Sequence, residues 1–117
     1  MNERRQRERG GRRAETLACW WLRLKGWTIL ARRLRVPLGE VDIVARRGRT
    51  VAFVEVKARR TAREAAYALD EYRLRRVAAA AGAVAHRFAR EGDITRIDAM
   101  FIVPRRLPRH MENVWHG

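Results

Sequence analysis

The sequence predicts an α/β fold whose elements follow the order αβββαβ, with a mixed central sheet flanked by helices. Three observations carry this prediction: apolar residues at helical spacing in residues 11–25, two β-branched runs within residues 41–56, and an alanine-rich stretch in residues 65–90. Because helices precede and follow the strands in the chain, we expect helices to cover both faces of the sheet.

The first helix is predicted over residues 11–25 and ends at Gly26, a common helix terminator. The apolar stripe that we expect to face the core consists of Ala14, Leu17, Ala18, Trp21 and Leu24. Residues 1–13 contain six arginines against two glutamates. They predict a flexible basic arm in front of a single domain, residues 14–117.

The remaining elements are strands and one long helix. A first strand is expected over residues 27–34, a hairpin supplies the second and third strands, and one helix follows over residues 65–90. A buried strand over residues 94–103 ends at Pro104, and a short strand near residues 111–114 is the last predicted element.

The hairpin carries the most informative residues of the chain. With a tight turn centred on residues 47–48, where glycine supplies a positive φ, Asp42 pairs with Phe53. Side chains alternate along a strand and paired residues share a face, so Asp42, Glu55 and Lys57 point the same way. A slip of the register by one residue would separate Asp42 from Glu55.

Two carboxylates that converge in this way suit a hard divalent cation. Mg²⁺, or Mn²⁺ in its place, takes one or two protein carboxylates and completes its shell with waters and phosphate oxygens. An isolated Glu-x-Lys is more often a solvated ion pair, but Glu55 and Lys57 lie in a strand that is otherwise apolar on both faces. Lys57 is also one of only two lysines among 27 basic residues, which indicates a requirement for its compact amine.

The pattern Asp-x12-Glu-x-Lys on adjacent strands resembles the PD-(D/E)xK nuclease superfamily. The longer string GEVDIVA...VAFVEVKAR resembles the YraN-like family of uncharacterised proteins. RRAExxA before the first strand, RIDAMFIV near the end and a closing HMENVW belong to the same resemblance, which covers most of the chain. It implies a restriction-endonuclease-like fold.

The resemblance also implies roles for individual residues. Asp42 and Glu55 would be metal ligands together with the backbone carbonyl of Val56, and Lys57 would be the catalytic lysine. Glu15 would be the acidic residue of the first helix that completes the site.

Two positions stand apart from these implied roles. From its place on the helix alone, Glu15 is a residue at the edge of the core that pairs with an arginine. At the start of the second long helix the family pattern usually has a lysine, whereas this chain has Arg73.

The net charge of +14 and the pI near 11.7 predict a polyanionic partner, which we expect to be nucleic acid, DNA in particular. Arginine clusters fall at strand ends, in loops and at a helix start, where they could ring the acidic site. The nucleic-acid-binding residues predicted from these clusters are Arg46, Arg47, Arg49, Arg59, Arg60 and Arg73. A solvated arginine-rich face is the alternative for any one cluster.

Other residues predict structural roles. The single cysteine, Cys19, excludes an internal disulfide framework and is expected to pack in the core. Asp98 interrupts an apolar strand, where we expect it to pair with an arginine. His110 and His116 lack the spacing of metal ligands and are expected to be solvated residues of the tail. Neither a secretory signal nor a membrane-spanning run is evident, which predicts a reduced, cytoplasmic protein without membrane attachment.

The leading hypothesis is a metal-dependent endonuclease that hydrolyses phosphodiester bonds in DNA. Analogy with resolvases of the superfamily extends this to branched or otherwise structured DNA. Two alternatives stay open: a nucleic-acid-binding module with little or no catalytic activity, and a basic adaptor for an acidic protein or ribosomal surface. A homodimer also stays open.

Overall fold

A computed structural model describes the backbone of residues 3–117 and the side chains from Gly11 onward. No described helix is both long enough and apolar enough to cross a membrane. The elements in chain order are α1 (Glu3–Leu24), β1 (Thr28–Val36), β2 (Gly39–Arg47), β3 (Thr50–Ala58), α2 (Ala62–Ala66), α3 (Glu71–Phe88), β4 (Ile94–Ile102) and β5 (Arg109–Met111).

The five strands form one mixed sheet in the order β1-β2-β3-β4-β5. Strands β3 and β4 are parallel, and the other neighbouring pairs are antiparallel. Helix α3 packs on one face against Val44 and Phe53, and helix α1 packs on the other against Ile43 and Val54. The predicted αβββαβ core, with a mixed sheet between helices, is confirmed, and β3 lies at its buried centre.

Helix α1 differs from its prediction at its start. It begins at Glu3, so the backbone of the segment predicted as an arm is helical from Glu3 onward, and residues 1 and 2 lie outside the described part. Residues before Ala14 carry no apolar periodicity that could have marked this start. Arginine, glutamate and glutamine are nevertheless good helix formers.

The buried face of α1 also differs from the predicted stripe. Ala14 and Ala18 are buried as expected, but the rest of the buried face is formed by Cys19 and Leu22. Leu17 and Leu24 project outward instead. The prediction that Cys19 is a core residue is confirmed, and burial raises the pKa of its thiol, which leaves it uncharged and unreactive.

The second predicted helix is two helices. Tyr67 ends α2, and a short connection leads to Asp70, whose carboxylate accepts a hydrogen bond from the Tyr72 N–H at 2.8 Å. An aspartate at this position caps a new helix. The alanine-rich composition hid the break, and Asp70 was the signal that could have shown it.

Asp98 is fully buried and holds the last strand in place. Arg96 pairs with it at 2.9 Å, His110 Nε2 lies 2.7 Å from its Oδ2, and the Asn113 N–H donates to its Oδ1 at 2.9 Å. Burial alone would raise the pKa of Asp98, but these three partners outweigh it and hold the pKa below its usual value. The predicted arginine pair is confirmed, whereas the expectation that His110 is a solvated tail residue is wrong.

The turn between β1 and β2 is seated directly on helix α3. A Cβ atom at Gly39 would lie 2.8 Å from the backbone oxygen of Arg76, a distance that real Cβ atoms do not adopt. Only glycine allows so close an approach without displacing the helix. This contact fixes the beginning of β2 against helix α3.

Candidate metal centre and nucleic-acid interface

The hairpin of β2 and β3 brings Asp42 and Glu55 to the same place. Its register pairs Val44 with Phe53 and Ile43 with Val54, so the next step places Asp42 opposite Glu55. Both residues line a cavity of about 400 Å³ beneath helix α3, together with Glu40.

The register differs from the prediction by two residues. The turn residues are Gly48 and Arg49, with Gly48 at a φ of 61°, so Arg47 pairs with Thr50. Glycine is favoured at the first central position of such a two-residue turn. Because the offset is even, the predicted parity is retained and the two carboxylates share a face.

Asp42 lies in an environment that disfavours its ionised form. Burial and the neighbouring charge of Glu55 raise the pKa of Asp42 to about 7, and the charges of Glu15 and Glu40 add to this. The Val56 N–H donates to Asp42 Oδ2 at 2.8 Å, and this hydrogen bond lowers the pKa of Asp42 and so offsets part of the increase. A carboxylate with so high a pKa beside a second carboxylate indicates an uncompensated negative charge in the cavity.

Lys57 is the positive charge nearest to this pair. Its Nζ lies 2.6 Å from Oε1 of Glu55, and only 4% of the Lys57 side chain and 12% of the Glu55 side chain are exposed. Burying an ammonium costs desolvation free energy, which a single carboxylate partner offsets only in part. A lysine in such a place is therefore a candidate for a functional role. The structure thus places the three residues of the Asp-x12-Glu-x-Lys pattern together.

Glu15 of helix α1 forms an ion pair with Arg33 of β1. Arg33 Nε donates to both carboxylate oxygens of Glu15, at 3.1 and 3.3 Å, and Arg33 has a left-handed φ of 49° in the middle of β1. This is the arginine pair expected from helix position alone. The charge of Glu15 also acts on the pKa of Asp42, so Glu15 belongs to the electrostatic surroundings of the site.

The donor set fits a cation that retains most of its water. Within residues 11–117, no group of three or more His, Cys, Asp and Glu side chains could hold a metal ion. Two largely buried carboxylates at a cavity, one of them with a raised pKa, fit Mg²⁺ or Mn²⁺, which need only one or two protein carboxylates. They do not fit zinc in a structural site, which needs four protein ligands.

The wall of the cavity comes from helix α3. Its lining residues are Tyr72, Arg73, Arg76 and Val77. Arg73 is therefore the one predicted nucleic-acid-binding arginine that lies beside the carboxylates. Sequence reasoning missed Arg76 and Tyr72, although positions 72, 73 and 76 share a helix face and could have been found from that spacing.

The hairpin arginines lie at the far end of the strands. Arg46 is bound to Asp93 at 2.7 Å and to the Phe88 carbonyl at 2.8 Å, and Arg47 lies over the ring of Trp27 at 4.5 Å. Arg49 is in the turn and is exposed. The turn is roughly 20 Å along β2 from Asp42, at about 3.3 Å per residue.

Arg59 and Arg60 lie on another surface. They line a cavity between α1 and the segment that follows β4, which contains none of the candidate catalytic residues. Of the six arginines predicted to bind nucleic acid, only Arg73 lines the cavity, where Arg76 joins it. The other five lie elsewhere in the described structure.

Comparison with known proteins assigns the chain to a family. The sequence profile described as "Uncharacterised protein family UPF0102" matches residues 14–102. The chain belongs to this family. The match confirms the YraN-like resemblance, and the observed mixed α/β architecture agrees with the nuclease-like fold of UPF0102 proteins.

Relatives within the UPF0102 family are similar over nearly their whole length. A UPF0102 protein of Sphingopyxis alaskensis is 65% identical over 108 residues, which cover 92% of this chain and 93% of the relative. A UPF0102 protein of Rhizorhabdus wittichii is 56% identical over 117 residues, covering 100% and 99% of the two chains. One from Erythrobacter litoralis is 56% identical over 108 residues, covering 92% and 93%.

Proposed function

We propose that the protein is a metal-dependent endonuclease that hydrolyses phosphodiester bonds in DNA, branched or otherwise structured DNA included. The observation that carries the proposal is the cavity that Asp42 and Glu55 line beneath Arg73 and Arg76, with the amine of Lys57 held 2.6 Å from Glu55. Carboxylates alone would repel a phosphate, whereas a cation between them and a positively charged wall would attract it.

The carboxylates of Asp42 and Glu55 would hold Mg²⁺ or Mn²⁺. When bound, the cation supplies Lewis-acid polarisation of the scissile phosphate and acidifies a water molecule. The hydrogen bond from the Val56 N–H orients Asp42 and leaves its second oxygen free for a ligand. The Val56 carbonyl, implied as a further ligand by the family resemblance, adds a neutral oxygen donor to this proposal.

Lys57 acts on the reacting groups in this proposal. Its amine is held beside Glu55 and has three donor hydrogens, so it can orient a nucleophilic water or donate to the phosphate oxygens as their charge increases. A guanidinium would deliver its hydrogens only in a fixed planar fork. Arg73 and Arg76 bind the neighbouring phosphates of the same strand.

A panel of substrates tests the proposal. Linear duplex, single-stranded, flapped and four-way DNA, with an RNA of matched sequence, are incubated with the protein in Mg²⁺, in Mn²⁺ and in a chelator. We expect strand cleavage of at least one DNA in the presence of a cation and none in the chelator. Binding without cleavage of any substrate would instead support the nucleic-acid-binding module.

The arginine wall gives a prediction about affinity. Replacing Arg73 and Arg76 together by glutamine should flatten the slope of log affinity against log salt by about 2 for duplex DNA, because each phosphate contact contributes about 0.9. Arg75 is the matched control: it lies on the same helix, pairs with Glu71 at 3.6 Å and does not line the cavity. Fluorescence anisotropy titrations at several salt concentrations measure the slopes.

For the control Arg75→Gln, the slope should stay close to that of the unmodified protein. If the slope of the Arg73→Gln, Arg76→Gln variant were also unchanged, α3 would not lie on the nucleic acid, and the phosphate-binding role of the wall would be rejected.

A further inference from the structure

Helix α1 presents an apolar stripe that no described part of the chain covers. Leu17, Trp20 and Leu24 follow one another at helical spacing, and these residues are 53, 64 and 75% exposed. They lie beside the buried stripe that holds α1 on the sheet. Scattered exposed apolar residues are normal, but a continuous stripe that includes a tryptophan marks an interaction surface.

The stripe lies in a groove. A cavity of about 590 Å³ separates α1 from the segment that follows β4, and a second cavity of about 520 Å³ continues along the helix. Leu17 and Pro108 line both cavities, so the two form one groove, and Leu107, 76% exposed, precedes Pro108 in the chain. The groove is concave and has an apolar floor.

Positive charge surrounds this floor. The arginines that line the two cavities are Arg13, Arg59, Arg60, Arg105, Arg106 and Arg23. Glu64 is the only acidic side chain among the lining residues, and it accepts a hydrogen bond from the Arg60 N–H. A ligand that fits this groove has an apolar side to contact the floor and negatively charged groups on the flanks of that side to contact the arginines.

A second copy of the chain does not meet these requirements. A symmetric dimer through the stripe would set the same patch against itself, so the arginine rims of two chains, each with a net charge of +14, would face one another. A negatively charged membrane surface could contact the arginines of the rim, but a flat surface would leave the apolar floor of a concave groove without contacts. A helix with an apolar stripe and acidic flanks fits both features.

We propose that the α1 groove docks an acidic amphipathic helix of a partner protein. Its apolar side chains lie on Leu17, Trp20 and Leu24, and its carboxylates meet the arginine rim, as in other helix-in-groove complexes. The groove and the candidate metal centre share no lining residue, and they lie on opposite faces of the sheet, beside α1 and α3 respectively. The partner can therefore bind while the metal centre stays open.

The test uses a synthetic helical peptide of about 18 residues, long enough for a marginally stable helix. Leucines at positions i, i+3 and i+7 form its apolar stripe, and glutamate and alanine occupy the other positions. One control peptide has serine in place of the leucines, and a second has lysine in place of the glutamates. Anisotropy of the labelled peptide gives the affinity, and a change in tryptophan emission that Trp20→Phe abolishes reports binding at the stripe.

We expect the leucine–glutamate peptide to bind at least about tenfold more tightly than either control. Changing Leu17 and Leu24 together to glutamine should weaken it about tenfold or more, whereas the exposed Ile94, changed to glutamine on β4, should have no effect. Glutamine retains helix propensity, so α1 should still form. Charge reversal at Arg105 and Arg106 provides a second variant that leaves α1 unaltered.

Several results would overturn the proposal. Equal binding of the serine peptide, or equal binding by the Leu17→Gln, Leu24→Gln variant, would show attraction by charge alone. A dimer in sedimentation equilibrium that this variant dissociates would assign the stripe to a second copy. Binding to phosphatidylglycerol vesicles that the variant loses would assign the stripe to a membrane surface.

Discussion

Replacing Asp42 by asparagine, Glu55 by glutamine or Lys57 by alanine should each lower the rate of DNA cleavage by about 10²–10⁴-fold. Asp42 and Glu55 line one cavity and Lys57 pairs with Glu55, so in the proposed mechanism each change would remove a cation ligand or a donor to the reacting phosphate. Affinity for DNA should stay the same or increase in the two carboxylate variants, because a negative charge near the phosphate has been removed. Single-turnover cleavage and binding in a chelator measure the two effects separately.

Glu40→Gln is the matched control for these variants. Glu40 lines the same cavity, but its side chain is 42% exposed and lies 3.7 Å from Arg35. We expect a cleavage rate within a few-fold of the unmodified rate. Equal rates in the unmodified protein and Lys57→Ala would indicate a contaminating nuclease or another site. Lys57→Arg separates the charge from the shape of the amine, because it retains only the charge.

Asp42→Asn should also stabilise the metal-free protein at neutral and higher pH. The pKa of Asp42 is about 7 in the folded state and 3.8 in its ordinary state, so the folded protein binds the proton more tightly than the unfolded chain does. The stability of the unmodified protein therefore falls as the pH rises from about 4 to about 7 and then levels off. Asparagine does not ionise and still accepts the Val56 N–H.

The gain in the free energy of unfolding should be small near pH 4 and reach up to about 4 kcal/mol at pH 8, at about 1.4 kcal/mol for each unit of pKa. Urea unfolding in a chelator at a series of pH values measures it. Glu40→Gln should change the stability by less than about 0.5 kcal/mol throughout. A gain for Asp42→Asn that did not vary with pH would contradict the raised pKa.

The same two proteins test the cation without any cleavage assay. If Mg²⁺ binds the ionised carboxylates of the folded state as proposed, it should raise the melting temperature of the unmodified protein at pH 8. Asp42→Asn should lose most of this increase. If both proteins responded equally, the cation would bind elsewhere.

Local patterns in the sequence predicted much of the fold and the centre of the candidate site. The alternation along β2 and β3 placed Asp42, Glu55 and Lys57 on one face, and an even register error did not disturb that result. The carboxylates were predictable because they lie on one hairpin, where parity alone decides which side chains share a face.

The surroundings of the site were not predictable in the same way. Whether an arginine is free or bound depends on contacts between distant parts of the chain, such as that of Arg46 with Asp93. The break between α2 and α3 at Asp70 sets where α3 begins and therefore which way the side chain of Arg76 points. The alanine-rich composition did not reveal this break. Leu17 and Leu24 were predicted in the core because they follow the helical period, yet they are exposed. Periodicity does not determine how wide a face of the helix the sheet covers.

The connection between β3 and β4 affects how the site assembles. Strands β1, β2 and β3 follow one another through short turns, whereas the parallel pair β3 and β4 forms only after residues 59–93 have crossed over the sheet with α3. Closing a short loop costs less chain entropy than closing a long one, so we expect local pairing to precede the crossover.

We therefore expect the two carboxylates to meet in the part of the chain that pairs first, and the arginines of α3 to join them with the crossover. Until α3 docks, the like charges of Asp42 and Glu55 repel each other across a hairpin that is still open to water. A proton on Asp42 would remove that repulsion and a divalent cation would reduce it, so we expect the cation proposed for the finished site to favour its assembly as well.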